Sequence, residues 1–520
     1  MRRSHVLILL WLTVVYGVVG AASQAPPSTY DNSLVLAPLY VDYAEDSAEE
    51  FAREADELKL RIPAAPYVKV GFAAFVTPQF PDIPLDKTVT ESDVAADLAK
   101  IDLLVNRARE HGLINHISLV SGFFHGDNPL RRGAIKRDVR NAQWFADGLI
   151  ADPNQLRNPV PQSAWVTPSR YAQPLRTRIE EGIRILASRL AARMREYPNT
   201  LLTVSGDGET EFSFERNFAD NGNQPGNRKD IIYTDYSPFM VAEFRDFLRN
   251  GRYDGDSTPG SDDDGNGHTL NSDFGQQFTT WKLRYFDNSG PISYNQYLQL
   301  PEKLPRTGPY ATEGGFDAPR AEKPGDAFWE AWIDFRKRVI GNWVRDFATW
   351  VTTSADPATG FTIPASRFYT HQIPADRIFG KSNDPRLKTS ASYIETTIIN
   401  PLGSTGVTAF NGFDGKKHAK TATPALFSAL FKTSDNWGVV EYNPSVPYRN
   451  DIPPSSDERY YASELRMLWN FRPHIIVPVL WSDLPAHKSL SIKGTAYERA
   501  LKGFVREIGK SPWYSLRAGR

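Results

Sequence analysis

Eight short apolar or β-branched runs, most of them separated by helical patterns, leave this chain few folds to choose from. They fall at residues 35–42 (VLAPLYVD), 68–76 (VKVGFAAFV), 117–121 (ISLVS), 201–205 (LLTVS), 368–372 (FYTHQ), 407–411 (VTAFN), 438–441 (GVVE) and 475–480 (IIVPVL). Most are continuously apolar rather than alternating, as expected of parallel strands covered on both faces. Amphipathic patterns at 94–111, 177–197, 327–351, 455–471 and 496–508 lie between or after them. Gly112 and Pro198 supply C-terminal stops for the first two. Eight strands alternating with helices predict an α/β fold of the (β/α)8 TIM-barrel type over residues 30–515. An open doubly wound sheet is the alternative, but it calls for an early Gly-rich phosphate loop, which the sequence lacks.

The interval between the fourth and fifth strands is too long for one βα unit. It predicts an enlarged loop subdomain after strand 4, over residues 208–325, followed by the fourth barrel helix. Within it, residues 237–249 (SPFMVAEFRDFLR) read as a short helix with Ser237 as N-cap and Pro238 at the first helical position.

At the N-terminus, Arg2 and Arg3 precede an apolar run at 6–19 and then Gly20-Ala21-Ala22-Ser23. That order predicts a secretory signal peptide over residues 1–22 and a secreted or periplasmic protein. The run is short for a membrane span, so no stable insertion is expected after cleavage. The chain has no cysteine, so disulfides cannot contribute to its stability. Its 60 basic and 61 acidic residues form no basic stripe, which argues against a nucleic-acid partner.

Barrels of this kind place their chemistry at the C-terminal ends of the strands. The fourth strand ends Ser205-Gly206-Asp207-Gly208-Glu209, with Glu211 close behind. The seventh runs Trp437-Gly438-Val439-Val440-Glu441-Tyr442-Asn443-Pro444. A carboxylate directly after Gly-Val-Val is costly unless paired or functional. Two carboxylates on facing walls of a barrel mouth are the equipment of glycoside hydrolysis, one as acid/base and one as nucleophile or base. Each alone also fits a loop residue that only accepts hydrogen bonds. On an extended strand Glu209 and Glu211 face the same side, as does Asp207, so parity does not choose between them. Asp207 and residues at other strand ends offer sugar contacts, the latter in His125, His371, Gln372, Asn411, Tyr442 and Trp481.

A glutamate ending strand four and another ending strand seven resemble the layout of the clan A glycoside hydrolases, which are retaining (β/α)8 enzymes. The resemblance is nearest to the family 42 β-galactosidases. Their strand-four segment Gln-x-Asp-Asn-Glu is matched by Ser205-Gly206-Asp207-Gly208-Glu209, and their F-R-x-(W/F)-L helix by Phe244-Arg245-Asp246-Phe247-Leu248. The match implies Glu209 as acid/base, Glu441 as nucleophile, Glu211 as the rival acid and Trp481 as a sugar platform. It implies a β-linked carbohydrate substrate, with β-galactoside favoured, and no cofactor for catalysis. Gly208 departs from the pattern where relatives carry Asn, which removes a hydrogen bond to the sugar 2-hydroxyl. The zinc-binding cysteines and C-terminal domains of some relatives are also missing. A non-catalytic carbohydrate-binding barrel remains the alternative function.

Residues 262–273 (DDDGNGHTLNSD) fit an oxygen-ligand calcium loop, with Asp262, Asp264, Asn266 and Asp273 as side-chain ligands. Gly267 falls at the sharp turn, and the carbonyl of His268 is a further ligand. Such a calcium would staple the enlarged loop. The same composition also suits a solvated Asp/Gly linker.

Overall fold

The computed structural model describes residues 33–121, 128–144, 168–169, 172–208, 235–249, 327–372, 403–410, 422–434, 436–444, 458–484 and 491–509. Its elements in chain order are β1 (Leu34–Leu36), β2 (Leu39–Tyr40), α1 (Ala48–Arg61), β3 (Val68–Val76), α2 (Ala95–Glu110), β4 (Ile114–Leu119), α3 (Pro129–Arg137) and α4 (Gln173–Glu196). There follow β5 (Leu201–Gly206), α5 (Pro238–Arg249), α6 (Ala327–Thr352), β6 (Phe368–Thr370), β7 (Thr405–Phe410), α7 (Pro424–Thr433), β8 (Trp437–Asn443), α8 (Glu458–Asn470), β9 (Ile475–Trp481) and α9 (Ala496–Ile508).

Every strand pairing is parallel, in the order β6-β5-β4-β3-β1-β9-β8-β7. The two ends of that path also meet. Gln372 N–H donates to Gly406 O at 2.9 Å, and Thr408 N–H donates to Gln372 O at 2.8 Å. Parallel bridges join Tyr369 to Ser404 and Gln372 to Val407. The sheet therefore closes. β1 and β2 are halves of one barrel strand, both lying between β3 and β9. They separate at Ala37-Pro38, where proline has no N–H to give the ladder. Counted so, the structure is an eight-stranded (β/α)8 barrel, as the run spacing predicts.

The apolar residues fall into two sets. One contains strand residues alone, among them Val35, Ala73, Ile114, Leu202, Tyr369, Val440, Ile475 and Val477, and fills the barrel. The other joins the outward strand faces to the helices, for example Val204, Val407, Val439 and Ile476 against Trp343, Phe347, Leu465 and Phe504. Buried parallel strands need this double covering, which is why their sequences do not alternate.

Several local features match their sequence signals. Ser237 caps α5 by accepting from Met240 N–H at 3.2 Å, with Pro238 as its first residue. Phe244 and Phe247 of the F-R-x-F-L segment pack on α6, with Phe244 4.8 Å from Trp332 and Phe247 5.3 Å from Phe335 between ring centroids. The two rings of that segment thus serve packing. The third barrel strand begins at Ile114 rather than Ile117. Its first polar residues are buried and bonded: Asn115 Nδ2 donates to Tyr43 Oη at 3.0 Å. Helix α1 carries a capping box between Ser47 and Glu50.

Residues 1–22, where a signal peptide is expected, lie outside the described residues, as does the expected loop subdomain over 208–325 apart from Gly208 and residues 235–249. Among the described residues, no helix is long and apolar enough to cross a membrane.

Candidate active site at the barrel mouth

Glu441 enters the mouth because β8 carries one residue too many. On the β7 side Val407 pairs with Val439, but Thr408 pairs with Glu441. On the β9 side Val439 pairs with Ile476 and Tyr442 with Pro478, three steps against two. Val440 is therefore the extra residue of a β-bulge. Val439 faces the helices and Val440 the barrel interior. Simple alternation would turn Glu441 outward, and the bulge instead keeps it inside.

There it meets a polar pair. His371 Nε2 lies 3.2 Å from Glu441 Oε2 and 2.7 Å from Thr408 Oγ1, and Thr408 Oγ1 lies 3.4 Å from the same carboxylate oxygen. His371 follows β6, two residues beyond the inward-facing Tyr369, and Thr408 stands between the outward-facing Val407 and Ala409. The His371 side chain is fully buried, whereas 16% of Glu441 remains open to solvent. On the other side of the imidazole is Gly208. A Cβ built there would stand 3.4 Å from His371 Nδ1. Glu441 and the residue that precedes Glu209 in sequence thus flank one histidine ring.

A second polar layer lies beneath. His116 is buried, with Nδ1 2.8 Å from Thr203 Oγ1 and Nε2 3.0 Å from Ser205 Oγ. Burial, and then the nearby His371, push its pKa down to about 3. A neutral imidazole between two hydroxyls satisfies its polar atoms without carrying charge into the barrel.

Four expected sugar contacts are placed elsewhere. Asp207 is buried, and its carboxylate accepts from Ser121 N–H at 2.7 Å, Ser121 Oγ–H at 2.5 Å and Trp343 Nε1–H at 3.0 Å. It ties the ends of β4 and β5 to α6. Gln372 is buried, and its Nε2 donates to Thr370 Oγ1 at 2.8 Å. Tyr442, the residue after the bulged pair, faces outward and packs 6.1 Å from Tyr497 of α9.

Trp481 is the clearest correction to the platform expectation. Leu39 pairs with Val479 but Tyr40 with Trp481, so Leu480 is the extra residue of a second bulge. Leu480 takes the inward position and Trp481 turns to the helix layer. Its ring is fully buried, and its Nε1 donates to Glu54 Oε2 of α1 at 2.8 Å. Lys493 Nζ contacts Glu54 and Glu57 at 2.8 Å each, and also Asp483. Burial works against the ammonium, but its bonds to Asp483, Glu54 and Glu57 outweigh that and raise its pKa. These three carboxylates are close enough to share a cation, and Lys493 already supplies the positive charge.

Glu209, Glu211, His125 and Asn411 lie outside the described residues, as do the calcium-loop positions Asp262, Asp264, Asn266, His268 and Asp273. Thr408 is the site residue the sequence reading missed. Its signal was a hydroxyl at an inward position within Val407-Thr408-Ala409.

Comparison with known proteins supports the fold. The structure resembles the catalytic domain of a β-amylase from Paenibacillus polymyxa with a TM-score of 0.56 and 13% identity, over 91% of this chain and 99% of that one. It also resembles a β-galactosidase from the psychrophilic Marinomonas ef1 with a TM-score of 0.51 and 11% identity. That match covers 91% of this chain and 59% of the galactosidase. No protein-family model and no curated protein matches the sequence.

Proposed function

We propose that this protein is a retaining β-glycosidase that acts outside the cytoplasm on β-linked oligo- or polysaccharide, with β-galactosides the favoured substrates. The observation that carries this reading is the bulge at Val440, which turns Glu441 into the mouth of a closed (β/α)8 barrel. A carboxylate so placed, 3.2 Å from His371 Nε2 and partly open to solvent, suits a nucleophile. The fold likeness to a β-amylase catalytic domain and a β-galactosidase is consistent with glycoside hydrolysis in general.

In the first step Glu441 attacks the anomeric carbon while Glu209 protonates the departing glycosidic oxygen. In the second, Glu209 takes a proton from water, whose oxygen displaces Glu441 and releases the sugar. Retention needs the two carboxyl groups about 5–5.5 Å apart, whereas inversion leaves about 6.5–9.5 Å for a water. The N-terminal charged, apolar and small-residue segment is the basis for placing the enzyme outside the cytoplasm.

The test is hydrolysis of a panel of aryl β-glycosides by wild type and Glu441→Gln. Hydrolysis that drops at least about 10³-fold in the variant supports the nucleophile. Wild-type sugar binding without turnover would replace the reading with a non-catalytic carbohydrate-binding barrel.

A further inference from the structure

A cavity of about 510 Å³ lies beside the barrel wall, between the C-terminal end of β3, the turn after β2 and helix α2. Small-molecule pockets span about 300–1,000 Å³. None of the residues described around Glu441 lines it. Ala74 of β3 points outward to the helix layer, and Asp97, Lys100 and Leu104 share one face of α2 at three- and four-residue spacing. The short side chains of Ala44, Ala74 and Ala96 leave the space between strand and helix unfilled. Val41, Glu45, Gln79 and Ala96 on its rim are exposed, so the cavity is open to solvent.

Asp97 is the buried polar group of this cavity. The residue is 6% exposed, and its Oδ2 accepts from Gln79 N–H at 3.2 Å. Its Oδ1 has no donor among the described residues and is not sealed from solvent. Tyr43 differs, because its hydroxyl donates to Leu104 O at 2.9 Å and accepts from Asn115 Nδ2 at 3.0 Å. Burial raises the Asp97 pKa against the opposing pull of Gln79 N–H and the Lys100 charge. An acid in the first turn suits the helix dipole, but that effect does not call for burying it. A buried carboxyl with one oxygen toward an open cavity lacks a donor that a ligand can bring.

The neighbouring groups narrow the ligand. Lys100 Nζ lies 3.6 Å from Glu45 Oε1, so a donor stands beside two acceptors. A cationic ligand would face Lys100, and an anionic one would face Glu45 and Asp97. Adjacent hydroxyls instead donate to a carboxylate and accept from an ammonium at once. The C–H face of a ring suits the apolar walls at Val41 and Leu104.

We propose that this cavity is a second binding site, apart from the barrel mouth, for a neutral sugar ring whose hydroxyl donates to Asp97 Oδ1. The site needs hydroxyls and no scissile bond, so it does not depend on the glycosidase reading.

The test uses the full chain carrying Glu441→Gln, so that probes are not turned over, with 13C-labelled alanine methyls. Methyl β-galactoside and methyl β-glucoside probe a single ring, and a soluble galactan oligosaccharide probes a ring within a chain. At least one should shift the Ala44 and Ala96 methyls to saturation. Adding Asp97→Leu should weaken that binding by about tenfold to a hundredfold, as for a lost hydrogen bond to a charged group. Asp97→Asn keeps an oxygen for Gln79 N–H and so preserves the local fold; it should weaken binding by about threefold to tenfold. Methyls unmoved by every neutral probe, or affinity unchanged in both Asp97 variants, would overturn the proposal. Galactosamine or galacturonate binding there at least about tenfold tighter than the neutral rings would also overturn it. Hydrolysis by the protein with Glu441 intact is a separate measurement, so either reading can fail alone.

Discussion

Asp207 separates a structural carboxylate from a catalytic one. In Asp207→Asn, the side chain keeps its shape but offers one carbonyl oxygen and an NH2 group. Among the donors it meets are Ser121 N–H and Ser121 Oγ–H, at 2.7 and 2.5 Å, and Trp343 Nε1–H at 3.0 Å. With the amide oxygen toward the Ser121 N–H, the serine hydroxyl can reverse and accept, but the indole N–H then faces an NH2 group. Losing one charge-assisted bond and leaving one donor unpaired costs about 2–4 kcal/mol. Unfolding entropy near 2.1 cal/mol/K per residue gives a chain of this length about 1 kcal/mol/K. The melting temperature should therefore fall by about 2–4 °C. Trp343→Phe removes the same donor, so the two changes together should cost about 1–2 kcal/mol less than their sum. Calorimetry on the four proteins of this cycle, with aryl glycoside kinetics beside it, provides the check. A melting temperature unchanged by Asp207→Asn, with activity reduced more than about a hundredfold (about 2.7 kcal/mol of lost transition-state stabilisation), would refute the structural assignment and return Asp207 to the mouth.

Other outcomes follow from the same structure. His116, with its pKa held down near 3, stays neutral in the fold while the unfolded chain protonates below about 6.5. Its contribution to stability is therefore present above pH 6.5 and is lost as pH falls toward 3, by about 2 kcal/mol at pH 5. Chemical denaturation at pH 7.5 and pH 5 should show a smaller pH-dependent loss in His116→Gln than in wild type, and an equal loss would contradict the burial argument. Trp481→Phe removes the Nε1–H bond to Glu54 and should destabilise by about 1–2 kcal/mol. Its kcat/KM should stay within about threefold of wild type, and a large rise in KM would restore the sugar-platform expectation. For the loop at 262–273, calcium should raise the melting temperature of wild type but not of Asp264→Ala. Excess calcium without effect on wild type would leave the Asp/Gly linker reading.

The architecture was legible because burial on both faces gives parallel strands a continuous apolar signature. The eight runs, the Ser237-Pro238 helix start and the stops at Gly112 and Pro198 depend on local chemistry that sequence shows directly. Helix α1 shows that a readable signal can still be passed over, since its Ser47 and Glu50 form a complete capping box. Strand boundaries were harder wherever a polar residue is satisfied inside the barrel. His116 interrupts the apolar pattern of β4, yet its two nitrogens meet Thr203 and Ser205.

Side-chain direction at the mouth obeys a different rule, because period two holds only while the ladder is regular. Leu202 is a third extra residue: Asn115 pairs with Leu201, but His116 pairs with Thr203. That shift makes Leu202 and Thr203 consecutive inward residues and sets His116 against the hydroxyls of β5. At Val440 the same device brings Glu441 in and sends Tyr442 out; at Leu480 it sends Trp481 out. None of these insertions has a glycine or proline of its own to announce it. Each is visible only when the partner strands are counted against one another, so it belongs to tertiary pairing rather than to local propensity. The consequence can be tested by register: deleting Val440 leaves Glu441 directly after the outward-facing Val439, so regular alternation keeps it inward opposite Thr408 and a folded variant should retain turnover. Deleting both Val439 and Val440 instead sets Glu441 opposite the outward-facing Val407, which should turn it toward the helices and abolish turnover. A folded double deletion that hydrolyses glycosides as well as the single one would show that strand register does not aim the nucleophile.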